Sequence, residues 1–399
     1  AWWDAFRQSL QAVRTPLWAQ CLVTGRYSPV TAVHPRIRGL ASVGGAATGS
    51  VLVSFDKPAF SSYGLTQGAN APMQQTAVAS YSQALEDLIE KAPVVGPLKV
   101  IHWFDEALDA AEDPFKRLET GAAPPKGEVW HRARGELNAW SGFTPPGQTA
   151  NRFHAVLMMG VSSRVMVRGW YEGTFAAANE NIAQWQADMA IVSAQGKEVV
   201  APALWQVAAD ISDAFREPSA VLVTALWESA VLGAPVSVQL AWAALHRIRQ
   251  SIQNAHLRPT YAYSLLKGYI LREDAMETEK RRMSQSLDLE RLDLPYQLGR
   301  LFAVFTRLQQ EAAGETEVVD RYYQAASTTP AVVFGRLHGM ARKNLGLIGA
   351  PPEKIVWEQE IMSIMMRIAE FPLTLNLKDQ SVFALGYYHQ LAEYRRQFM

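Results

Sequence analysis

The sequence predicts an α+β protein, with a mixed α/β part over residues 1–200, a helical connecting region over 201–282 and a C-terminal helical bundle over 283–399. Three patterns lead to this prediction. Short apolar runs between glycines fill the N-terminal part, β-branched residues alternate over 152–171, and apolar residues recur every three or four positions near the C-terminus. Alternation suits a strand, whereas the longer period suits a helix.

The N-terminal part combines helices with strands. Apolar residues spaced by three and four predict a helix over 1–20, and the run SVLVSF predicts a buried strand over 50–55. Polar residues punctuated by glycine predict a loop over 61–73. A helix over 76–92 and a strand over 94–104 are expected to follow.

The middle of the chain carries a strand pair and then helices. Gly121–Gly127, with two consecutive prolines, predicts an exposed connector. The alternating valines of 152–171 predict a hairpin of strands, and 176–193 returns to helical spacing. From Pro202 onward we expect mostly helix.

The bundle begins with a helix from Leu294 that Gly314 ends. Its apolar stripe consists of Leu294, Leu298, Leu301, Phe302, Phe305 and Leu308. A short helix is expected around Val318–Ala326. Thr329 followed by Pro330 then predicts an N-cap and the first residue of a third helix.

Two further helices complete the predicted bundle. Gly346, Gly349, Pro351 and Pro352 are expected to end the third helix. The fourth helix places Trp357, Ile361, Ile364, Met365 and Ile368 inward and is expected to end at Phe371-Pro372. Asn376 is expected to cap the last helix, with Asp379 in the first turn, where the helix dipole favours an anion.

Composition limits the function classes. The 399 residues include 38 basic and 38 acidic ones, which argues against a free-standing protein that binds nucleic acid through bulk positive charge. The single cysteine, Cys21, cannot form an internal disulfide and suggests a reducing compartment. The longest uncharged apolar run, Ser229–Leu245, is broken by glycine and proline and is too short for a membrane-spanning helix. We therefore expect a soluble cytoplasmic protein without a membrane partner.

The stretch GLASVGGAATG over 39–49 invites comparison with a phosphate-binding loop. Gly44 and Gly49 have the required spacing, but Ser50 and Val51 occupy the positions where a Lys-Ser/Thr pair would reach the phosphates and the metal. A turn that lets backbone segments approach closely is the better interpretation.

Residues 7–60 form a local basic stretch in which Asp56 is the only acid. Its candidates for phosphate contact are Arg26, Arg36, Arg38 and Lys57. Phe55, Phe60 and Tyr63 lie beside them and could stack a base. A solvated loop explains the charges alone equally well.

Two amide side chains, Gln67 and Asn70, follow in the predicted loop. Each carries paired donor and acceptor atoms of the kind that contact adenine or another base edge. In isolation, surface turns account for them better.

A second basic stretch, 246–272, contains no acid. Its candidates are Arg247, Arg249, Arg258 and Lys267. The alternative is an ordinary exposed helix whose counter-charges lie just downstream, and the charges alone favour that alternative.

The bundle offers a third set of cations, which we expect on exposed helix faces. They are Arg300, Arg307, Arg336, Arg342, Lys343, Arg395 and Arg396. Arginines on helix surfaces are usually solvated, so this set alone does not indicate a function.

Residues that could carry chemistry do not cluster in the sequence. The closest pair among the eight histidines is His246 and His256, so we expect no metal and no cofactor. His389 fits a packing or hydrogen-bonding residue of the bundle. A hydrolase would need His102 or His131 to face an acid and a nucleophile in a cleft. We expect no enzyme activity.

Several strings of the sequence resemble one protein family, in the same order. They are CLVTG at 21–25, HPRIRG at 34–39, VSFDKPAFSSYGLTQGANAPM at 53–73, ANRFHAVL at 150–157, LKGYILRE at 266–273, LPYQLGRLFAVFTRLQQEA at 294–312, DRYYQAASTTPAVVFGRL at 320–337 and FPLTLNLKDQSVFALGYYHQLAEYRR at 371–396. Together they resemble the large subunit of the type I-C CRISPR Cascade over most of the chain. Several independent strings in fixed order are more specific than one short motif.

The resemblance implies a non-catalytic subunit of an RNA-guided surveillance complex. Such a subunit helps to read a short motif beside the target, stabilises the opened strands of the R-loop and presents the complex to a separate nuclease-helicase. Its partners would be the CRISPR RNA, the target DNA and the other Cascade backbone subunits, with base pairing supplying most of the specificity. The resemblance favours nucleic acid for the basic stretches and implies that basic faces of the bundle hold strand backbone. A helical scaffold that bridges proteins without touching nucleic acid is the alternative.

Two expectations concern the limits of the chain. The resemblance begins part-way along the family, so we expect the N-terminal portion that such subunits usually carry to be absent. It also implies that a small-subunit product can accompany the family, and Met283, just before the first bundle helix, is where such a product would start. A short band that persists unchanged after Met283 is replaced would count against that start.

Overall fold

A computed structural model describes most of the chain. The described residues are 2–3, 17–110, 112–121, 150–197, 199–212, 218–253, 259–273, 282–314, 317–349 and 351–397. The chain divides into two compact units, one made of Ala1–Trp103 and Phe153–Glu172, the other of Phe104–Arg152 and Gly173–Met399. Most strands belong to the first unit and most helices to the second, which confirms the predicted α+β class.

Most strands are short. They are β1 (Trp18–Gln20), β2 (Tyr27–Pro29), β3 (Arg36–Ile37), β4 (Ser50–Val51), β5 (Val94–Val95), β6 (Leu98–Phe104), β7 (Arg152–Val161), β8 (Arg164–Thr174), β9 (Ile191–Val192) and β10 (Val199–Val200). β1 and β2 form one antiparallel ribbon, and β9 and β10 form another. The main sheet has the strand order β3-β4-β8-β7-β6-β5. The predicted hairpin over 152–171 is confirmed as β7 and β8.

The main sheet joins distant parts of the chain. β3 and β4 are antiparallel, and Ile37 lies opposite Ser50. β4 in turn runs parallel to β8, with Val51 opposite Arg164. More than a hundred residues therefore separate the two members of this parallel pair along the sequence.

The inner face of the main sheet packs against α1 (Gln75–Lys91), the helix predicted over 76–92. Ile37 of β3, Ile89 of α1 and Met158 of β7 belong to one buried cluster. Complete burial of an apolar side chain of this size contributes about 1.5–3 kcal/mol. This cluster fixes the position of β3 against the long strands.

The glycine-rich stretch forms the close turn that the sequence predicts. Gly44 has φ +85°, and a β-carbon there would lie 2.6 Å from the carbonyl oxygen of Gly160. Gly45 forms a bridge with Ser162, and a β-carbon on Gly160 would lie 2.1 Å from the Cα of Gly45. The turn therefore packs directly on the end of β7, because no side chain separates the two backbones.

Helices form most of the second unit. They are α2 (Pro114–Thr120), α3 (Phe175–Met189), α4 (Leu204–Asp210), α5 (Ala220–Val231), α6 (Val238–Gln253), α7 (Thr260–Glu273), α8 (Leu294–Ala313), α9 (Glu317–Thr328), α10 (Pro330–Leu347), α11 (Pro351–Met365) and α12 (Leu377–Gln397). α8 and α12 are buried along most of their length and pack against each other at the centre of the bundle. Among the described helices, none combines the length and the apolar character that crossing a membrane requires.

Two glycines let α8 and α12 cross at very short distance. A β-carbon on Gly299 of α8 would lie 2.0 Å from the carbonyl oxygen of Phe383. A β-carbon on Gly386 of α12 would lie 2.2 Å from the carbonyl oxygen of Tyr296. The two helix backbones are therefore in direct contact at this crossing.

The end of α8 and the start of α12 agree with the sequence prediction, whereas α11 ends at Met365, before the predicted end at Phe371-Pro372. Gly314 has φ +68° after α8, and the Asn376 side chain accepts a hydrogen bond from the backbone N–H of Asp379 at 2.9 Å. The Thr329 hydroxyl does not cap α10, because it donates to the carbonyl oxygen of Ala325 at 3.2 Å. The predicted cap at Thr329 is therefore wrong, although the helix begins where expected.

The elements predicted near the N-terminus agree less well with the structure. The helix predicted over 1–20 lies largely outside the described residues, and Trp18–Gln20 is a strand because it pairs with Tyr27–Pro29. The strand predicted over 50–55 is limited to Ser50–Val51. The predicted connector beyond Gly121 lies outside the described residues.

Candidate nucleic-acid interface

Two arginines project from the outer face of the main sheet, the face away from α1. Arg36 on β3 and Arg164 on β8 both lie beside Val51 in register. Side chains directly opposite each other on neighbouring strands project from the same face. Ile37 and Ser50, the next pair in register, are completely buried on the inner face. Arg36 and Arg164 therefore share the outer face.

Arg38 joins these two because Gly49 lies beside both Arg36 and Arg38. A β-carbon on Gly49 would be 3.0 Å from Cβ of Arg36 and 3.4 Å from Cγ of Arg38. All three arginines are exposed. We call Arg36, Arg38 and Arg164 the arginine cluster.

The arginine cluster keeps much of its positive charge accessible. Arg164 forms an ion pair with Asp56 at 3.2 Å, but both side chains are more than half exposed, and such surface pairs are weak. Arg36 donates from Nη1 to the carbonyl oxygen of Gly49 at 3.2 Å, which orients the guanidinium without neutralising it. Lys57, the predicted candidate next to Asp56, is also exposed.

The predicted residues Arg36 and Arg38 thus come together, whereas Arg164 was missed by the sequence analysis. The alternation of VSSRVMVRGW places Arg164 and Arg168 four residues apart on one predicted strand, and that spacing could have indicated a basic face. Arg168 is exposed, and its Nε lies 3.3 Å from the sulfur of Met159 on β7. The register that places Arg164 opposite Val51 could not be predicted from the sequence.

Gln67 and Asn70 lie beside the β1–β2 ribbon. The backbone N–H of Gly68 donates to the carbonyl oxygen of Ala32 at 2.8 Å, which holds this loop against the chain that follows β2. Gln67 is exposed at φ +49°, and the Asn70 amide donates to the Gln67 carbonyl oxygen at 3.3 Å. Arg26 is exposed in the turn between β1 and β2.

Exposed aromatic rings accompany these polar residues. Trp18 and Tyr27 stack across the ribbon with ring centres 5.9 Å apart, and Tyr63 in the neighbouring loop is 93% exposed. Stacking of a nucleobase on such a ring contributes about 1–3 kcal/mol. The first unit therefore presents cations and flat apolar surfaces, the two features through which proteins bind single-stranded nucleic acid.

Most of the described candidates in the second basic stretch form hydrogen bonds that stabilise the fold. Lys267 is 1% exposed, and its Nζ donates to the carbonyl oxygens of Ala187 and Asp188 at 3.2 and 2.5 Å. Arg249 is half-buried and donates from Nη2 to Gln380 Oε1 at 2.7 Å. The prediction of a strand contact at Lys267 is wrong for this structure, because its ammonium group faces carbonyl groups inside the second unit.

Arg247 is buried as well, beside Asp210. Its Nη1 contacts Gln250 Oε1 at 3.4 Å. Burial raises the pKa of the Asp210 carboxyl to about 6, although the charge of Arg247 and a 2.8 Å hydrogen bond from the Tyr261 backbone N–H both favour the carboxylate. Arg258, the fourth candidate, lies outside the described residues.

Asp210→Asn is expected to raise the unfolding midpoint more at about pH 7.5 than at about pH 4. Because the folded-state pKa is above the unfolded value of about 4, wild-type stability falls as pH rises between these two values and stays lower above them. Asparagine carries no charge to bury, and its oxygen can still accept from the Tyr261 N–H. Urea unfolding of both proteins at the two pH values measures the difference, with exposed Asp87→Asn as the control. Equal shifts of the unfolding midpoint at both pH values would contradict a raised pKa of Asp210 in the folded protein.

The bundle cations divide into buried and exposed sets. Arg300 is 4% exposed, and its Nε and Nη1 donate to Gln390 Oε1 and Gln297 Oε1 at 3.0 and 3.1 Å. The prediction that Arg300 is exposed is wrong, because the side chain of this α8 residue packs against α12. Burial there lowers the pKa of the guanidinium. Arg307 is half-buried and donates from Nη1 to Gln310 Oε1 at 3.1 Å.

The remaining bundle candidates are exposed. Arg342 and Lys343 lie on the surface of α10. At the end of α12, Arg395 donates from Nη1 to the carbonyl oxygen of Ala194 at 2.8 Å, and Arg396 forms two hydrogen bonds with the Glu393 carboxylate. The surface of α10 is thus a better candidate for strand contact than the end of α12.

The part of the chain that the structure describes offers few residues for catalysis or metal binding. No group of three or more His, Cys, Asp or Glu side chains is placed there to hold a metal ion. His102 is half-buried on β6, and His131 lies outside the described residues. His389 is a buried bundle residue with Nδ1 3.0 Å from the Tyr296 hydroxyl, which confirms its predicted packing role.

Comparison with protein families gives a match over nearly the whole chain. Residues 1–395 match the family described as CRISPR-associated protein (Cas_Csd1). A search of curated proteins finds no significant match.

Proposed function

Because the chain belongs to the Cas_Csd1 family of CRISPR-associated proteins, the large subunits of type I-C Cascade, we propose that it binds nucleic acid without catalysing a reaction. In this proposal the subunit contributes to target DNA binding, to recognition of the adjacent motif and to stabilisation of the R-loop strands. It also presents the complex to a separate nuclease-helicase. Base pairing with the CRISPR RNA supplies most of the sequence specificity.

The arginine cluster is the observation that supports this proposal most strongly. Guanidinium groups donate paired hydrogen bonds to phosphate oxygens, and strands hold Arg36 and Arg164 at a fixed spacing beside Val51. A chain with no net charge can bind a strand through such a local cluster when other subunits also hold the nucleic acid.

The β1–β2 ribbon supports a complementary role in contacting bases. Tyr63 and the stacked Trp18 and Tyr27 offer aromatic faces, and the Gln67 amide offers a donor and an acceptor. We assign phosphate contact to the arginine cluster and base contact to this ribbon and its neighbouring loop.

Arg36→Glu combined with Arg38→Glu is expected to weaken target binding by the assembled complex at least about tenfold at low salt. Removal of each phosphate contact should also flatten the slope of log affinity against log salt concentration by about 1. Electrophoretic mobility shifts with duplex target over a salt series measure both quantities. The complex should still assemble, since both side chains are exposed on the outer face.

Arg38→Glu and Lys91→Glu form a matched pair of single charge reversals. Lys91 is exposed at the end of α1, and its reversal changes the net charge by the same amount. Arg38→Glu should weaken binding, whereas Lys91→Glu should leave the affinity and the salt slope close to wild type. Equal effects of the two variants would contradict phosphate contact at the arginine cluster.

An apolar stripe on α11 supports protein contact as a second role. Ile355 and Met362 lie on α11, Met366 follows its last residue, and the three are 50%, 62% and 82% exposed. A subunit that acted only as a scaffold would use such surfaces, and its contribution to strand retention would not depend on salt. Normal target binding by the arginine variants would favour this scaffold function.

A further inference from the structure

One face of α11 exposes large apolar side chains to solvent. Ile355, Val356 and Met362 are 50%, 62% and 62% exposed. Because successive residues of an α-helix are about 100° apart around its axis, Met362 projects close to Ile355, and Val356 lies about 100° away. Exposed Gln359 and Ser363 lie between them on the same surface. Apolar side chains grouped in this way are typical of a surface that binds another protein.

A cavity of about 340 Å³ borders this face of α11. Val356 is both an exposed residue of the face and a lining residue of the cavity. The other lining residues are Glu311, Glu353, Trp357, Glu360, Tyr394 and Gln397. Three carboxylates therefore line the cavity, and no lysine, arginine or histidine does so among the described residues. We call this cavity the acidic pocket.

Aromatic rings form part of the wall of the acidic pocket. The rings of Trp357 and Tyr394 meet edge to face with their centres 5.8 Å apart. Trp357 Nε1 donates to Glu311 Oε1 at 3.1 Å, which holds that carboxylate beside the indole ring. A guanidinium group stacks on aromatic rings and pairs with carboxylates, whereas the ammonium group of lysine is more strongly hydrated. The wall of the acidic pocket therefore suits arginine better than lysine.

The chain itself supplies little positive charge to the acidic pocket. Arg307 Nη2 lies 4.0 Å from Glu311 Oε2, at the outer limit of an ion pair, and both side chains are partly exposed. Burial raises the pKa of Glu360, and the charge of Arg300 and a 2.9 Å hydrogen bond from Gln390 Nε2 oppose this shift only in part. A positively charged occupant would supply the counter-charge that these carboxylates lack.

The sign of this charge selects the kind of partner. Phosphate groups of nucleic acids and anionic lipid surfaces are repelled by a group of carboxylates. A protein segment that combines apolar residues with an arginine matches both the exposed face and the acidic pocket. Ile355 and Met362 are about two helical turns apart, and a helix that binds through one face places its own apolar anchors at the same spacing.

We propose that this surface binds a basic amphipathic helix of a partner protein, with apolar residues of that helix on Ile355, Val356 and Met362 and an arginine in the acidic pocket. The arginine pairs with Glu353 at the entrance and stacks beside Trp357. An arginine enclosed in this way is a frequent hot spot of protein interfaces. The proposal rests on the second role in the proposed function, protein contact, and adds the position and the chemistry of the partner.

Photo-cross-linking from position 356 tests the proposal in the assembled complex. The chain with p-benzoylphenylalanine in place of Val356 is irradiated in purified complex that contains CRISPR RNA and the nuclease-helicase but no target DNA. Mass spectrometry then identifies the joined peptides. We expect a cross-link to a protein segment with apolar residues at helical spacing and at least one arginine. No cross-link, or one to RNA, to a second copy of this chain or to a segment without arginine, would overturn the proposal.

Glu353→Arg should reduce the yield of this cross-link at least about tenfold, because it places like charges together. Glu358→Arg is the matched control, since Glu358 is exposed on the same helix but lies outside the acidic pocket. Replacement of the partner's arginine by glutamate should restore the yield with Glu353→Arg, which a misfolded variant could not do. Equal losses in the two variants, or no restoration, would contradict an arginine in the acidic pocket.

Target affinity separates this proposal from strand binding. The cross-link is measured without target DNA, and the arginine cluster belongs to the other unit of the chain. The expected cross-link together with normal target binding by the variant with Arg36→Glu and Arg38→Glu would overturn strand contact alone. Weakened target binding by that variant, without a cross-link from position 356 to any protein, would overturn the docking surface alone.

Discussion

Gly299→Ala is expected to destabilise the chain by about 3 kcal/mol, even though alanine is ordinarily the better helix residue. The new β-carbon would lie 2.0 Å from the carbonyl oxygen of Phe383, an atom of the α12 backbone that cannot rotate away. α8 and α12 would have to separate, which would loosen the apolar contacts along both helices. Thermal or urea unfolding of the purified protein measures the destabilisation, and Gly386→Ala should behave alike.

Gly335→Ala is the matched control for this crossing. Gly335 also lies inside a helix, α10, but a β-carbon there would have no neighbour within 4 Å. The control should raise stability by about 0.5–1 kcal/mol through the lower conformational freedom of the unfolded chain. A Gly299→Ala protein as stable as the control would show that the helices do not touch at this point.

Asp188→Asn should lower stability by about 3 kcal/mol. Asp188 is buried on α3, and its Oδ2 accepts from Arg272 Nε at 2.9 Å. Arg272 also donates from Nη1 to the carbonyl oxygens of Ser229 and Ala234, so its guanidinium cannot turn to solvent without breaking those bonds. Removal of the negative charge would leave a largely buried cation without its counter-charge.

A double-mutant cycle separates the pair from its surroundings. Arg272→Met combined with Asp188→Asn should destabilise the protein by less than the sum of the two single changes, because the second change removes the uncompensated charge. Asp56→Asn provides a surface control, since its ion pair with Arg164 is exposed and should contribute no more than about 1 kcal/mol. Additive effects in the buried pair would contradict a direct interaction.

Elements with strong periodicity were predictable from the sequence alone. The apolar stripe through Leu298, Leu301 and Phe305 predicts that α8 is a helix. The last residue of α8 precedes Gly314, as predicted. The alternation on either side of Ser162 likewise gives β7 and β8. In both cases local spacing agrees with the packing that the fold provides, so the local pattern suffices.

Burial of cations could not be predicted in the same way. Lys267 and Arg300 have the charge and the helical context of surface residues, yet their partners are the carbonyl groups of Ala187 and Asp188 and the amide of Gln390. Those partners lie tens of residues away in sequence and meet the cations only through tertiary packing. Charge counting therefore recognised a basic stretch but not its location inside the protein.

The candidate site was predictable in part for a related reason. Arg36 and Arg38 stand out because acids are scarce around them, whereas Arg164 enters the arginine cluster only through the register of β4 against β8. A parallel pair between distant strands leaves little trace in either strand alone. The aromatic rings of the ribbon, Trp18 and Tyr27, are not predicted from the sequence, because Trp18 falls in a segment with helical spacing, whereas Tyr63 of the neighbouring loop is.

The parallel pairing of β4 with β8 also has a consequence for synthesis of the protein. When the ribosome has released the segment that carries Arg36 and Arg38, the strand that supplies the third guanidinium has yet to be translated. A nascent chain in which β8 (Arg164–Thr174) has not yet been made cannot complete the sheet that spaces these groups, because β8 is one member of the parallel pair. Nucleic acids near the ribosome therefore meet an unassembled surface until the hairpin has been made.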